Sequence, residues 1–336
     1  MSEAKGANQT ADLEIDAPTP KGILERLARG EILLAEGAMG TEQQERGLEQ
    51  GDCGEEWNIS IPDRVREIHR SYVQVGAEII YTNTFGATEL RLAEHRAKGR
   101  LEDLREHGID PDDLREVTRL VNLHGARLAR EASEGGVHFV AGDMGPAVGD
   151  KLINGFFTEE EVSATYRDQA LFLKEGGVDL LAIETVFDPQ ESTLAYRAVK
   201  DLGLPVLVSL AITRRSHLGR PATDFGILVE KIPELYPDAD IVGINCGQDI
   251  DLTLEAVGAL RGLTAKPILA KPNAGIPEYV KGKIFYSLTP DDLASYAKRF
   301  AEAGANIIGG CCGTTPDHIG AMRVVVSTIN ESAGLN

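Results

Sequence analysis

Two adjacent cysteines, Cys311 and Cys312, lie in the glycine-rich stretch "IIGGCCGTTPDHI", directly after an apolar run. A disulfide between them would be strained, because adjacent Cα atoms lie about 3.8 Å apart and ordinary disulfides need about 4.4–6.8 Å. Four cysteines in 336 residues are also far from a disulfide-dense scaffold. Two interpretations remain. Both thiols are small buried hydrophobes, or they bind one soft metal ion together with a third ligand from elsewhere in the chain.

The elements that position this pair follow from a repeating pattern along the chain. Eight short apolar runs are each followed by a helical pattern, which predicts a parallel sheet and, with eight units, a (β/α)8 TIM barrel. A doubly wound open sheet is the alternative, but the first run ends in "AEGAMGTEQQ" rather than a glycine-rich nucleotide loop. We expect residues 1–22 to be a flexible lead-in and residues 23–330 to form a single domain. The runs are 32–35, 78–82, 138–142, 180–184, 206–211, 241–245, 267–270 and 306–310.

A third cysteine lies at the end of another predicted strand. Chemistry in a barrel gathers where strands end, and Cys246 follows the sixth run while Cys311 and Cys312 follow the eighth. Three thiolates with an open fourth position are typical of a catalytic zinc site. Cys53, in "QGDCGEE", stands apart, and we expect it to be exposed or loosely packed.

Composition excludes several classes of partner. The net charge is −19, with 34 basic against 53 acidic residues. This charge argues against nucleic acid, which needs a basic surface, and against docking on anionic lipid. No apolar run approaches the roughly 18 residues of a membrane span, and the N-terminus lacks the apolar core of a signal peptide. We therefore expect a cytoplasmic protein with reduced thiols.

Several motifs at the strand ends carry a resemblance to a known family. "GINCG", "KPNAG" and "GGCCGTTPDHI", with "GAMGT", "NTFGA", "GDMGP" and "ETVFD", resemble the homocysteine S-methyltransferase family. The likeness runs from about residue 24 to residue 328. It is nearer to the homocysteine-binding barrel of cobalamin-dependent methionine synthases than to betaine–homocysteine methyltransferases. The resemblance implies that Cys246, Cys311 and Cys312 are catalytic zinc ligands, and that homocysteine is methylated to methionine as a zinc-bound thiolate.

The same resemblance implies where the amino-acid end of homocysteine is held. Glu184 would bind the ammonium, and N–H groups of the glycine-rich loops would bind the carboxylate. Asn83, Asp143 and Asn273 also follow strands, and each has a structural alternative as a turn or loop-pinning residue. Asn273 could instead supply an amide oxygen to the metal. The candidate substrate-binding residues are Glu36, Gly37, Ala38, Met39, Gly40, Asn83, Asp143, Glu184 and Asn273.

Because of two differences from the family pattern, the identity of the thiol acceptor stays open. Relatives carry Asp-Gly where this chain has Glu36-Gly37, and the extra methylene extends the carboxylate by about 1.5 Å. The loop after the fifth run, "RPATDFG", also differs, and His217 in the preceding "TRRSHLG" has no assigned role. Another small thiol is therefore the alternative to homocysteine. His69, His124 and His318 fall in helical patterns, where we expect surface or packing roles.

The methyl donor is not named by any motif in the sequence. No D-x-H-x-x-G cobalamin signature occurs. We therefore expect methylcobalamin, if used, to be carried by a separate corrinoid protein. A methylated sulfonium or ammonium compound is the alternative donor, and a subunit of a corrinoid demethylase system is an alternative role. A non-catalytic module that binds zinc or thiols is the remaining class.

Overall fold

The computed structural model describes residues 22–133, 138–152, 154–212, 225–247, 249–280 and 283–335. All eight predicted runs form strands of one parallel sheet. Their bounds are β1 Leu33–Leu34, β2 Ile79–Tyr81, β3 Phe139–Met144, β4 Leu180–Val186, β5 Val206–Leu210, β6 Ile241–Cys246, β7 Ile268–Pro272 and β10 Ile307–Ile308. The strand order is β1-β10-β7-β6-β5-β4-β3-β2.

The first and second strands close this sheet into a barrel. Ala35 forms a parallel bridge with Ile79, and the Glu36 N–H donates to the Ile79 carbonyl at 3.0 Å. The Glu78 N–H donates to the Leu34 carbonyl at 2.7 Å. Since no open edge remains between β1 and β2, the predicted TIM barrel is confirmed and the doubly wound sheet is excluded.

Helices surround the barrel and begin at recognisable caps. Thr158 and Thr289 each form a capping box with the acidic residue three positions later. The α-helices are α1 Ile23–Ala28, α2 Met39–Glu45, α3 Trp57–Ser60, α4 Pro62–Gln74, α5 Glu89–Ala97, α6 Leu114–Ala132, α7 Glu159–Glu175, α8 Pro189–Val199, α9 Phe225–Leu235, α10 Ile250–Arg261, α11 Pro290–Glu302 and α12 Pro316–Ser332. Short 3-10 helices span Gly54–Glu56, Glu102–His107 and Gly149–Lys151.

The barrel interior is a layer of apolar side chains at alternate strand positions. Ala141, Ala182 and Leu269 belong to this buried cluster, together with Ile79 and Tyr81. Because side chains alternate between the two faces of a strand, the residue two positions on faces the same interior. That position is Asp143 on β3, Glu184 on β4 and Lys271 on β7. The strand register therefore delivers charged side chains to one end of an otherwise apolar core.

Two loop segments hold structure that the sequence pattern did not predict. The segment after β7 contains an antiparallel hairpin of β8 Glu278–Val280 and β9 Lys283–Phe285. The charged segment 97–114 contains the 3-10 helix Glu102–His107 and packs Leu101 and Leu104 around Cys53. Cys53 is only 3% exposed, so the expectation of an exposed or loosely packed thiol was wrong.

Some expectations fall outside the described residues. The predicted lead-in, apart from Gly22, and the loop of residues 213–224 with His217 lie outside them. The assignment of residues 23–330 to a single domain stays a prediction. Among the helices that the structure describes, none combines the length and apolarity needed to cross a membrane.

Candidate functional site

The structure brings Cys246, Cys311 and Cys312 together at the carboxyl end of the barrel. Their three Sγ atoms lie within 4.8 Å of one another, and the Sγ atoms of Cys246 and Cys312 are 4.0 Å apart. We call these three residues the thiol cluster. Each is partly accessible, so the cluster is open to small molecules.

Close backbone packing explains the glycines around the cysteine pair. A Cβ at Gly310 would lie 2.4 Å from Thr314 Oγ1, and a Cβ at Gly313 would lie 2.1 Å from the Tyr286 ring. Gly313 also has φ of 80°, a conformation that glycine adopts without strain. The Cys311 N–H donates to the Pro272 carbonyl at 2.8 Å. The loop after β10 is thus fixed against β7 before any metal binds.

Cys246 is held by a strained backbone that the sequence did not reveal. Among the described residues, Cys246 and Thr185 are the two non-glycine residues with positive φ, at 55° and 61°. Asn245 Nδ2 donates to Thr185 Oγ1 at 2.6 Å, and the Thr185 N–H donates back to Asn245 Oδ1 at 3.0 Å. Asn273 Nδ2 donates to the Gly247 carbonyl at 2.7 Å. Backbone strain of this kind persists only where surrounding contacts hold it in place, as these hydrogen bonds do here.

The thiol cluster fits a tetrahedral soft metal ion. Two sulfurs about 2.3 Å from a tetrahedral zinc lie about 3.8 Å apart, close to the 4.0 Å between Cys246 and Cys312. Contact with the Cys311 thiol raises the pKa of Cys246 to about 12. Contact with the Cys246 thiol likewise raises the pKa of Cys312 to about 12. The crowded thiols therefore need a cation before they ionise at neutral pH.

A cavity of about 510 Å³ opens beside the thiol cluster. The candidate residues on the first-strand loop line it, as do three others: Asn83, Asp143 and Glu184. Asn83 is also structural, because its Nδ2 donates to the Gly54 carbonyl and to Asn58 Oδ1. Asn273 instead lies behind Cys246, in contact with Gly247. The structure thus brings all but one of the candidate residues to the cavity.

A buried lysine in this cavity was missed by the sequence analysis. Lys271 Nζ lies 2.9 Å from Glu184 Oε2 and 3.4 Å from the centroid of the Tyr81 ring. The two side chains of this ion pair are 4% and 7% exposed. A lysine two residues after an interior leucine in "ILAKP" was the available signal. We call Asp143, Glu184 and Lys271 the charged cluster.

Two further carboxyl groups of the cavity lack firm partners. Asp143 Oδ1 and both Glu36 carboxylate oxygens are buried without a hydrogen-bond partner. Burial raises the pKa of Asp143 well above its usual value, and the neighbouring Glu184 raises it further. Burial also raises the pKa of Glu36, although His69 Nδ1 lies 3.8 Å from its Oε2. Burial therefore disfavours the charged form of both carboxyls.

The histidines read as surface or packing residues are buried to different degrees. His69 is fully buried in α4 and faces Glu36. His318 is 8% exposed, and its Nε2 lies 3.0 Å from the Leu288 carbonyl at the start of α12. His124 is partly buried in α6. His69 is the one that reaches a candidate site residue.

The fold and the site together define a class of protein and then a family. A TIM barrel that gathers buried charges and three thiols at the carboxyl end of its strands has the arrangement of an enzyme site for a small polar substrate, and its thiols are of the type that could hold a soft metal. The sequence profile described as homocysteine S-methyltransferase matches residues 33–326. The chain belongs to this family, whose members transfer a methyl group to a thiol.

Individual relatives agree with this assignment. The chain is 32% identical over 328 residues to methionine synthase from Mycobacterium leprae (strain TN), covering 92% of this chain and 25% of that protein. The chain thus spans about a quarter of the length of this curated relative. Among solved structures, the oxidized form of the homocysteine methyltransferase MmuM from Escherichia coli is similar, with 27% identity and a TM-score of 0.69. That match covers 90% of this chain and 98% of MmuM.

Two more structures extend the comparison. The metallated form of MmuM matches with a TM-score of 0.68 and 27% identity, over 89% of this chain and 97% of MmuM. A methyltransferase from Methanosarcina mazei shares the fold, with a TM-score of 0.55 at 11% identity, over 91% of this chain and 97% of that one.

Proposed function

We propose that this protein is a zinc-dependent S-methyltransferase that methylates homocysteine to methionine. The observation that carries the proposal is the thiol cluster, whose Sγ atoms lie within 4.8 Å of one another beside a cavity lined by Asp143 and Glu184. Homocysteine combines the two features that this arrangement suits: a thiol for a soft metal, and an ammonium for buried carboxylates.

Cys246, Cys311 and Cys312 would hold the zinc ion. When bound, zinc supplies a positive charge that keeps the acceptor sulfur deprotonated, whereas a free thiol with a pKa of about 8.5 is mostly protonated at neutral pH. Family membership and the similarity to the metallated form of MmuM support this metal.

The remaining residues of the cavity would bind and orient the acceptor. The first N–H groups of α2, at Met39 and Gly40, have no intrahelical acceptor, and both residues line the cavity. They suit the carboxylate of an amino acid. The Ala38 N–H is less available, because it donates to Thr314 Oγ1 at 3.1 Å. The acidic residues of the cavity suit the ammonium.

The methyl transfer itself needs no external oxidant or reductant. The acceptor thiol loses its proton, its sulfur forms a bond to the methyl carbon, and the bond between that carbon and the donor breaks with its electron pair left on the donor. Holding the sulfur and the methyl carbon in line is the protein's contribution to the rate.

We assign the donor to a separate methyl-corrinoid protein. Exposed apolar side chains lie in the loops that follow the strands, where a protein would have to dock. They are Phe85 after β2, Phe156 after β3, and Ile276, Ile284 and Phe285 after β7. The acidic cavity favours a second candidate, a small methylated sulfonium or ammonium compound, because such donors carry positive charge. Reduced thiols suit a cytoplasmic location.

The test is to incubate the zinc-loaded protein with homocysteine and, separately, methylcobalamin, S-methylmethionine or betaine, and to measure methionine. We expect methionine from methylcobalamin, the corrinoid donor in its free form. Methionine from only one of the other two would reassign the donor. A fully zinc-loaded protein that yields no methionine with any donor would contradict the proposed function and favour a non-catalytic thiol-binding module.

A further inference from the structure

The carboxylate that the family resemblance assigns to the substrate already has a partner inside the protein. Glu184 Oε2 accepts a hydrogen bond from Lys271 Nζ at 2.9 Å, and both residues are buried. Lys271 also has a second contact, because its Nζ lies 3.4 Å from the Tyr81 ring centroid. Lys271 occupies Oε2 and neutralises the charge of Glu184, so an incoming ammonium gains less from this carboxylate than from one without a cationic partner.

Asp143 is in the opposite situation. Its Oδ1 is buried and has no hydrogen-bond partner, and the residue lines the same cavity, as Glu184 and Lys271 do. A buried acceptor without a donor is unfavourable until a donor arrives. Three donors on one ammonium are a good match for such an oxygen.

Glu36 is the other carboxyl without a hydrogen-bond partner, but its surroundings differ. It is 0% exposed, whereas Asp143 is 7% exposed. Its Oε2 lies 3.8 Å from His69 Nδ1, so a short movement gives Glu36 a partner of its own. Asp143 is therefore the better placed of the two to meet a ligand.

We propose that Lys271 and Asp143 together set which thiols this cavity accepts. Lys271 acts as a built-in ammonium that neutralises Glu184, and Asp143 binds the ammonium of an amino-acid thiol. The proposal rests on the proposed function, since it assumes that a thiol acceptor occupies this cavity. It makes Asp143 the residue that binds the ammonium and Lys271 a residue that determines specificity through Glu184.

The test compares two acceptors that differ only in the amino group, homocysteine and 4-mercaptobutyrate. Calorimetry on zinc-loaded protein gives the ratio of their affinities without requiring a methyl donor. We expect wild type to prefer homocysteine by about tenfold to a hundredfold, the size of one hydrogen bond between charged groups. Asp143→Asn should remove this preference by weakening homocysteine alone. Glu184→Gln should keep it, as should the matched control Asp201→Asn, an exposed residue that follows α8.

The role of Lys271 is tested with a variant that leaves the Glu184 carboxylate without its lysine partner. Lys271→Met should release Glu184 to bind the ammonium, so that adding Asp143→Asn no longer removes the preference. If Lys271→Met does not fold, Lys271→Met/Glu184→Gln removes both charges, and its preference should again depend on Asp143.

Three results would overturn the inference alone, and a fourth would overturn the proposed function with it. Loss of the preference in Glu184→Gln with its retention in Asp143→Asn would return the ammonium to Glu184. Loss in Glu36→Gln alone would assign it to Glu36. Equal binding of the two thiols by wild type would show no recognition of the amino group while leaving thiol binding intact. Wild type that holds zinc but binds neither thiol would overturn the proposed function together with the inference.

Discussion

The thiol cluster and the charged cluster lie in one cavity but are built in different ways. Cys311 and Cys312 occupy a loop after β10, fixed by glycines that allow close backbone contact with Thr314 and Tyr286. Asp143, Glu184 and Lys271 instead occupy three separate strands and meet across the barrel. A local motif therefore builds most of the proposed metal site, whereas the strand register builds the proposed substrate site. Single substitutions should therefore disrupt the thiol cluster, whereas the charged cluster should be disrupted by substitutions that break a pair of charges.

The largest effect is expected from Cys311→Ala. One thiol is lost from the three-cysteine set, so zinc retention and methyl transfer should both disappear while the barrel stays folded. Metal analysis should find about one zinc per chain in wild type, as a single three-cysteine site requires, and circular dichroism should report the fold. The control is Cys53→Ala, which removes a thiol from a different buried cluster and should keep zinc. Stoichiometric zinc in Cys311→Ala would show that the thiol cluster is not the metal site.

Breaking the ion pair of the charged cluster should have a smaller effect. Removing both charges should restore the stability that removing one of them costs. Lys271→Met leaves Glu184 buried without its partner, so we expect the free energy of unfolding to fall by about 3–5 kcal/mol. Lys271→Met/Glu184→Gln removes both charges and should lie within about 1 kcal/mol of wild type. Urea denaturation measures both. Equal destabilisation by the single and double variants would mean that the pair does not act as a unit.

A glycine beside the thiol cluster should respond to substitution differently from a glycine within a helix. Gly313→Ala places a Cβ in the Tyr286 ring and a side chain at φ of 80°. We expect a loss of about 1–3 kcal/mol together with weaker zinc binding. The matched variant Gly258→Ala lies within α10, where no atom is within 4 Å of the added Cβ, and should be neutral or stabilising by about 0.5–1 kcal/mol. Thermal unfolding and zinc titration of the two variants test this contrast, and similar behaviour would refute it.

The smallest effect is a pH dependence confined to the charged cluster. Burial raises the pKa of Asp143, so the native state holds this proton more tightly than the unfolded chain does. Stability from this carboxyl is present below its unfolded pKa and is lost as the pH rises through the raised native value. As the pH rises above about 4, the ordinary pKa of an aspartate, unfolding free energy should therefore fall more in wild type than in Asp143→Asn. Parallel curves for the two proteins would contradict the raised pKa.

The barrel was predictable because parallel strands buried on both faces appear as continuous apolar runs. All eight runs became strands, and the closure between β1 and β2 follows from the same count. The convergence of Cys246 with Cys311 and Cys312 was predictable for a related reason, since the carboxyl ends of barrel strands share one face.

Other features depend on contacts that no local pattern records. The ion pair of Lys271 with Glu184 requires knowing that side chains from β7 and β4 meet inside the barrel. Cys53 was misjudged because its burial depends on Leu101 and Leu104, nearly fifty residues further along. The positive φ of Thr185 is set by Asn245, sixty residues away. Tertiary contacts between residues far apart in the sequence decide such features.

The shortness of two barrel strands has a consequence for how long the folded protein lasts. β1 and β10 have two residues each, and they pair with each other as neighbours in the sheet. β7 lies between β6 and β10 in the sheet, so an ion held by Cys246, Cys311 and Cys312 ties the ends of β6 and β10 together across it. A ligand that binds only the folded state stabilises it by mass action. The supply of zinc would then affect two properties. One is the rate of methyl transfer, and the other is how often these short strands separate and expose the chain to proteases.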